Sequence, residues 1–259
     1  MKFPIPGCLP ALLFLMLLQP AHAIGNLAEP QAGVEEKTGS VIPLNLSFYD
    51  EGGRKAKLNS LLDKPAILSF AYFNCTNFCN EFLGNLAESL DSVASEAGKD
   101  YTSITVSFDE KDTPFDASKK KNNYIGSFKR PFPREGWRFL TGDEENIRAL
   151  ASSVGFSFNR DGNAFRHPVA LIILSPEGRI IRYINGDRFI PSDIDMAVLE
   201  AKENRTGATI PKALFLCYSY DPQKRAYVFS FMKASGFFIL FAAASFFIYL
   251  TSSNKKKKD

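Results

Sequence analysis

Pro65-Ala66-Ile67-Leu68-Ser69-Phe70-Ala71-Tyr72-Phe73-Asn74-Cys75-Thr76-Asn77-Phe78-Cys79-Asn80 is the stretch that decides the fold of this 259-residue chain. The run from Ala66 to Phe73 is almost continuously apolar, as expected of a strand buried on both faces of a sheet. Immediately after it, Phe78, Phe82, Leu86, Leu90 and Val93 recur at helical spacing until Gly98. A strand feeding a helix through this turn puts Cys75 and Cys79 at a helix N-terminus. Backbone N–H groups and the helix dipole favour thiolate there.

Upstream, Leu44, Leu46 and Phe48 alternate, and Asp50-Glu51-Gly52-Gly53 supplies a turn. Downstream, Tyr101 to Phe108 reads as a second buried strand and Ala117 to Phe128 as a polar helix. Trp137 to Leu140 is a short strand, and Thr141-Gly142-Asp143-Glu144 offers a capping box for a helix through Val154. Val169 to Leu174 and Arg179 to Ile184 flank Ser175-Pro176-Glu177-Gly178 as a hairpin. Ser192 is the expected cap of a last helix, Asp193 to Glu203. Strands alternating with helices, then a hairpin and a helix, predict a thioredoxin-like α/β domain over residues 41–204, with 24–40 as linker.

Both ends read as membrane-related. A basic start, an apolar run from Leu9 to Leu18 and Ala21-His22-Ala23 predict a cleaved secretory signal, residues 1–23, that removes Cys8. Residues 234–251 carry no charge, and about 18 apolar residues can cross a bilayer as a helix. The tail 252–259, with Lys255 to Lys258, marks the cytoplasmic side. The expectation is a single-pass protein of the cytoplasmic (inner) membrane, its body on the periplasmic or outer side. Residues 205–233 connect body to span and are too apolar for a flexible linker.

This assignment changes the charge balance. The formal charge is +3, and removing Lys2, Lys255 to Lys258 and Asp259 leaves −1 for the exported part. A near-neutral body has no footprint for a phosphate backbone, so no nucleic-acid partner is expected. Four cysteines are also too few for a disulfide scaffold.

Processing leaves Cys75, Cys79 and Cys217, and one histidine, His167, just before the strand from Val169. A four-residue offset sets Cys75 and Cys79 one helical turn apart, near enough to share a metal ion. It also permits a disulfide, structural or exchanging, although the spacing is at the upper end of the usual range. Three intervening residues, where a thioredoxin-type redox pair has two, lean towards metal or slow exchange. His167 is the one imidazole available to the pair. Two thiolates and an imidazole make a soft set suited to Cu(I) and able to hold Cu(II), whereas structural zinc wants four ligands. Cys217, among Leu214, Phe215 and Leu216, is either a buried apolar residue or a third thiol that exchanges with the pair or passes copper.

Four motifs then bring a resemblance. Asn74-Cys75 through Cys79-Asn80, Ser107-Phe108-Asp109-Glu110-Lys111-Asp112-Thr113-Pro114, Trp137 to Gly142, and His167-Pro168-Val169-Ala170 with Ser175-Pro176-Glu177-Gly178 occur in the order seen in the Sco/SenC family. The chain resembles that family over about residues 38–204. The resemblance implies a thioredoxin-like copper-binding protein that helps assemble the dicopper centre of cytochrome c oxidase. Cys75, Cys79 and His167 match its copper ligands, and Asp109 matches an acidic residue in a supporting place. Thr76, Asn80 and Glu110 stand where many members have proline. The C-terminal span looks like a bacterial branch anchored at that end.

Two functions compete. One is a membrane-tethered copper metallochaperone, without covalent catalysis, serving the copper-site subunit of a respiratory oxidase and trading with other exported copper carriers. The other is a thiol–disulfide oxidoreductase that keeps the oxidase's copper-site cysteines reduced, with Cys75 attacking, Cys79 resolving and a thiol reductant as partner.

Overall fold

Alternation along the buried strands sends odd- and even-numbered side chains into two separate cores, one on each face of a sheet. The computed structural model describes residues 32–75, 78–162, 164–206, 218–221 and 226–229. The chain divides into two units, 1–31 and 32–259, and every described residue lies in the second. The elements run β1 (Gly33–Val34), β2 (Ser47–Tyr49), β3 (Lys55–Lys57), β4 (Ala66–Ala71), α1 (Phe78–Ser92), β5 (Thr102–Ser107), α2 (Pro114–Ile125) and β6 (Trp137–Leu140). There follow α3 (Glu144–Ser153), β7 (Phe156–Ser157), β8 (Asn159–Asp161), β9 (Ala164–Arg166), β10 (Ala170–Leu174), β11 (Ile180–Asn185) and α4 (Pro191–Lys202). A final hairpin pairs β12 (Tyr218–Asp221) with β13 (Ala226–Phe229).

The main sheet has the order β11-β10-β4-β5-β6. β4, β5 and β6 are parallel, while β10 runs antiparallel to both β4 and β11. β4 is buried along its whole length, as its apolar run requires. Ile67 and Ala71 join Leu171, Ile173, Phe82, Leu86, Leu90 and Val198 in the core under α1 and α4. Leu68 and Phe70 face the other way, into a core with Ile104, Val106, Ile172 and the α3 residues Ile147 and Leu150. Within β5 the Thr105 hydroxyl is paired across the sheet: its Oγ1 meets Ser69 Oγ at 2.8 Å and accepts from Trp137 Nε1 at 2.8 Å.

Several sequence expectations are corrected. α2 begins at Pro114, ahead of the expected Ala117, because Thr113 and Asp116 form a complete capping box around a first-turn proline. α3 is capped by the Asp143 carboxylate on the Asn146 N–H, not by a box from Thr141. α4 starts at Pro191 after Ile190, without a side-chain cap, so Ser192 is already inside it. Part of the expected linker pairs with the domain: β1 runs antiparallel to β7, and Glu35 N–H bonds to Gly155 O at 2.8 Å. Gly155 has φ +64°, and a Cβ there would stand 1.8 Å from Glu35 O, so only glycine fits beneath this strand. The expected signal and span fall outside the described residues, as does Cys217. Among the described residues no helix is long and apolar enough to cross a membrane.

Candidate metal centre

The end of β4 at Ala71 releases the chain into Tyr72, Phe73, Asn74 and Cys75, and α1 resumes hydrogen bonding with Cys79 in its first turn. Cys75 is 7% exposed and Cys79 is fully buried, and neither is in a disulfide. The Cys79 N–H donates to Cys75 Sγ at 3.4 Å, so the open end of the helix points at that sulfur. Burial pushes the Cys79 thiol up to about 12, with Cys75 adding to the rise and a hydrogen bond to the Tyr72 backbone opposing it. The Tyr72 hydroxyl is held protonated by its hydrogen bond to Cys75 and by burial.

His167 arrives from the other side of the sheet, on a small hairpin. β8 and β9 pair Asn159 with Arg166, Arg160 with Phe165 and Asp161 with Ala164, delivering the histidine directly before Pro168. His167 Nε2 stands 3.7 Å from Cys79 Sγ, and Nδ1 lies 2.9 Å from Pro168 O. A carbonyl can only accept, so Nδ1 carries the proton of the neutral ring and Nε2 turns its lone pair to the sulfur. Burial holds His167 below the usual histidine range, with the Pro168 carbonyl opposing. The ring rests on Phe108, centroids 4.9 Å apart, and stands edge-on to Tyr72 at 6.3 Å.

Of the residues singled out from sequence, Cys75, Cys79 and His167 are thus brought to one place. They are adjacent but not converged: among the described residues no three His, Cys, Asp or Glu groups form a ready metal cluster. Asp109 is drawn elsewhere. Its carboxylate takes Arg160 Nη2 at 2.8 Å, and the same guanidinium binds Glu110 at 2.9 Å and covers the Phe165 ring at 4.3 Å. Its support therefore goes to the histidine hairpin.

Sequence reasoning missed three side chains that shape the thiol turn. Tyr72 touches Cys75. Asp112 is buried and accepts from Phe73 N–H, Asn74 Nδ2 and Ser107 Oγ. Burial raises its carboxyl, and the Ser107 and Phe73 hydrogen bonds pull it back. Lys120, on α2, is also buried and donates to Cys75 O and Asn80 Oδ1. Burial lowers its ammonium while the two cysteines favour its charge. Asp112 was visible within the quoted Ser107 to Pro114 motif. Nothing marked Lys120 within Lys119-Lys120-Lys121.

The SCO1/SenC family pattern matches residues 35–200, well over half of the chain. This chain belongs to the SCO1/SenC family. It is 23% identical over 165 residues to Protein SCO1 homolog 1, mitochondrial, of Arabidopsis thaliana, covering 61% of this chain and 47% of that protein. It therefore spans about half the length of that relative. A solved structure from Aquifex aeolicus VF5 is 29% identical with a TM-score of 0.58, covering 64% of this chain and 95% of that one. The structure of Arabidopsis thaliana ScoI with copper bound shares the fold, at 22% identity and a TM-score of 0.50 over 61% of this chain and 96% of that one. Membership accounts for the mixed α/β layers.

Proposed function

We propose that this SCO1/SenC chain is a membrane-tethered copper metallochaperone that accepts copper at Cys75, Cys79 and His167 and hands it to the copper-site subunit of a respiratory cytochrome c oxidase. The observation that carries the reading is the His167 Nε2 lone pair, 3.7 Å from the Cys79 thiol, with the Cys75 sulfur one helical turn away and bonded by the Cys79 N–H. Two sulfurs and one imidazole nitrogen suit Cu(I) and can hold Cu(II). The Sco family is one of cytochrome c oxidase assembly proteins, and the Arabidopsis ScoI that shares this fold has copper bound in its structure.

Copper is cargo here. Cys79 is a thiol at neutral pH, so uptake releases its proton, while the neutral His167 ring offers Nε2 without losing one. Transfer is ligand exchange, in which a partner's thiolates replace Cys75, Cys79 and His167 through shared intermediates and no protein bond breaks. The 234–251 segment and Lys255 to Lys258 tether the body on the periplasmic or outer face with the C-terminus in the cytoplasm. Anaerobic Cu(I) titration of the reduced full chain in detergent tests the reading. One tight equivalent is expected, lost in Cys75→Ser and Cys79→Ser; no tight one-to-one binding overturns it.

A second reading has its own observation, the Cys79 N–H···Sγ bond to Cys75 that holds two reduced thiols one turn apart. As a thiol–disulfide oxidoreductase, Cys75 would attack a partner disulfide and release one partner thiol. Cys79 would then displace the second, leaving Cys75–Cys79 oxidised and the partner reduced by two electrons. His167→Ala separates the two functions. It abolishes tight copper binding under the first and leaves disulfide exchange intact under the second.

A further inference from the structure

Two buried side chains of opposite charge, one just before α2 and one in its middle, grip the cysteine turn at its two ends. Asp112 is 5% exposed and Lys120 is 6% exposed. Asp112 Oδ2 accepts from the Phe73 N–H at 2.5 Å and from Ser107 Oγ at 2.6 Å, and Oδ1 accepts from Asn74 Nδ2 at 2.7 Å. Lys120 Nζ donates to Cys75 O at 3.0 Å and to Asn80 Oδ1 at 2.7 Å. The Tyr124 hydroxyl, one turn along α2, reaches Asn80 as well, at 3.2 Å from Oδ1. The gripped residues are Phe73, Asn74 and Cys75 before the helix and Asn80 within its first turn.

Burying a carboxylate and an ammonium costs several kcal/mol each unless their hydrogen bonds are met, and apolar side chains would fill the same space at less cost. What the charges supply is direction. β4 ends at Ala71, so the turn has no ladder to fix its backbone, and here its polar groups are fixed by side chains from outside. The same side of the turn opens into a cleft of about 280 Å³ where Asn74, Cys75 and Asn80 face Lys119 and Lys120. That cleft is a solvent route to Cys75.

We propose that Asp112 and Lys120 are positioning residues, a two-sided clamp that sets the Cys75 thiol relative to Cys79 before any metal arrives. The inference rests on the copper reading only for what the thiols go on to hold; the clamp belongs to the metal-free chain. Loosening it frees Cys75 into the cleft.

The test uses the reduced, metal-free full chain in detergent, with Asp112→Asn, Lys120→Met and Lys120→Arg. Alkylation of Cys75 by iodoacetamide is followed by peptide mass spectrometry, which separates it from the other cysteines, and Cu(I) affinity by chelator competition. Asp112→Asn and Lys120→Met are each expected to speed Cys75 alkylation and weaken Cu(I) binding by about tenfold, the scale of one lost charged hydrogen bond. Lys120→Arg keeps the donors and returns both readouts to within about threefold of wild type. Should Asp112→Asn not fold, the Lys120→Met and Lys120→Arg pair decides alone. A lowered melting temperature with wild-type alkylation in Lys120→Met overturns the clamp. If wild type binds no copper while alkylation still responds, the clamp stands and the copper reading falls.

Discussion

The thiol turn and the imidazole hairpin meet at one point but are held there by different physics. Cys75 and Cys79 hang from β4, a strand buried along its whole length, and α1, which packs over it, with buried Asp112 and Lys120 fixing the turn between them. His167 hangs from β8 and β9, two three-residue strands whose side chains are half-buried or exposed. That hairpin is tied to the body by the Arg160 guanidinium, which pairs with Asp109 and Glu110 and lies over Phe165, and by Phe165 packing on Tyr72 and Phe108, while Arg166 pairs with Asp161 within it. Deep burial makes the sulfurs a fixed platform. Surface ion pairs and ring contacts leave the imidazole as the adjustable half, suited to closing on an ion and letting it go.

The harshest way to break the comparison is to damage the platform. Phe82 is buried in the core with Cys79 and meets Phe189 edge-on at 5.9 Å. Phe82→Ala should cost about 3–5 kcal/mol of stability, read from chemical unfolding of the full chain in detergent. Copper affinity should fall with it. A stable variant that binds copper normally would show that the sulfurs do not depend on this core.

Removing the other half should have nearly the opposite signature. His167→Ala takes one donor from the proposed copper site and little from either core, so about a hundredfold loss of Cu(I) affinity is expected with a stability change near 1 kcal/mol. Chelator competition and thermal unfolding on the same sample check both. Equal losses in the two would make His167 a structural residue.

Legibility in the sequence divides along the same line. The platform was readable because its apolar residues are concentrated: β4 lies in the continuous run from Ala66, α1 where helical spacing put it, and the short strand at Trp137 to Leu140. Cys75 and Cys79 followed from that boundary. The hairpin was not readable, since Asn159–Asp161 and Ala164–Arg166 are too short and too polar for a period to emerge. β1 hid in a Glu- and Gly-rich stretch for the same reason. Asp112 shows a different limit. Asp109, Glu110, Asp112 and Asp116 are four acids within eight residues, and only the folded turn determines that Asp112 points inward.

Proton release distinguishes the halves without unfolding either. The Cys79 thiol, pushed up to about 12, is protonated across pH 6 to 8, whereas His167, lowered by burial, is mostly neutral above its titration. Binding must displace the thiol proton, so Cu(I) affinity should rise at least about tenfold per pH unit between 7 and 8. His167→Ala should lower the whole curve while keeping that slope. A flat profile in wild type would mean that Cys79 does not give up a proton to the metal.

The gentlest probe loosens the hairpin and leaves the imidazole in place. Arg160 is one-third exposed, and its ion pairs with Asp109 and Glu110 are worth roughly 0.5–1 kcal/mol, with a comparable contribution from the Phe165 ring. Arg160→Ala should therefore shift stability by about 1 kcal/mol and raise amide exchange in residues 159–166. β4 and α1 should keep their protection, because their hydrogen bonds open only with the cores on either side. Copper affinity should drop a few-fold, since a mobile His167 must be ordered on binding. Added salt should reproduce part of the effect in wild type, as expected for surface charge pairs, and leave Arg160→Ala unchanged. If exchange in β4 rose as much as in the hairpin, the two halves would be one cooperative unit and the distinction between platform and adjustable arm would fail.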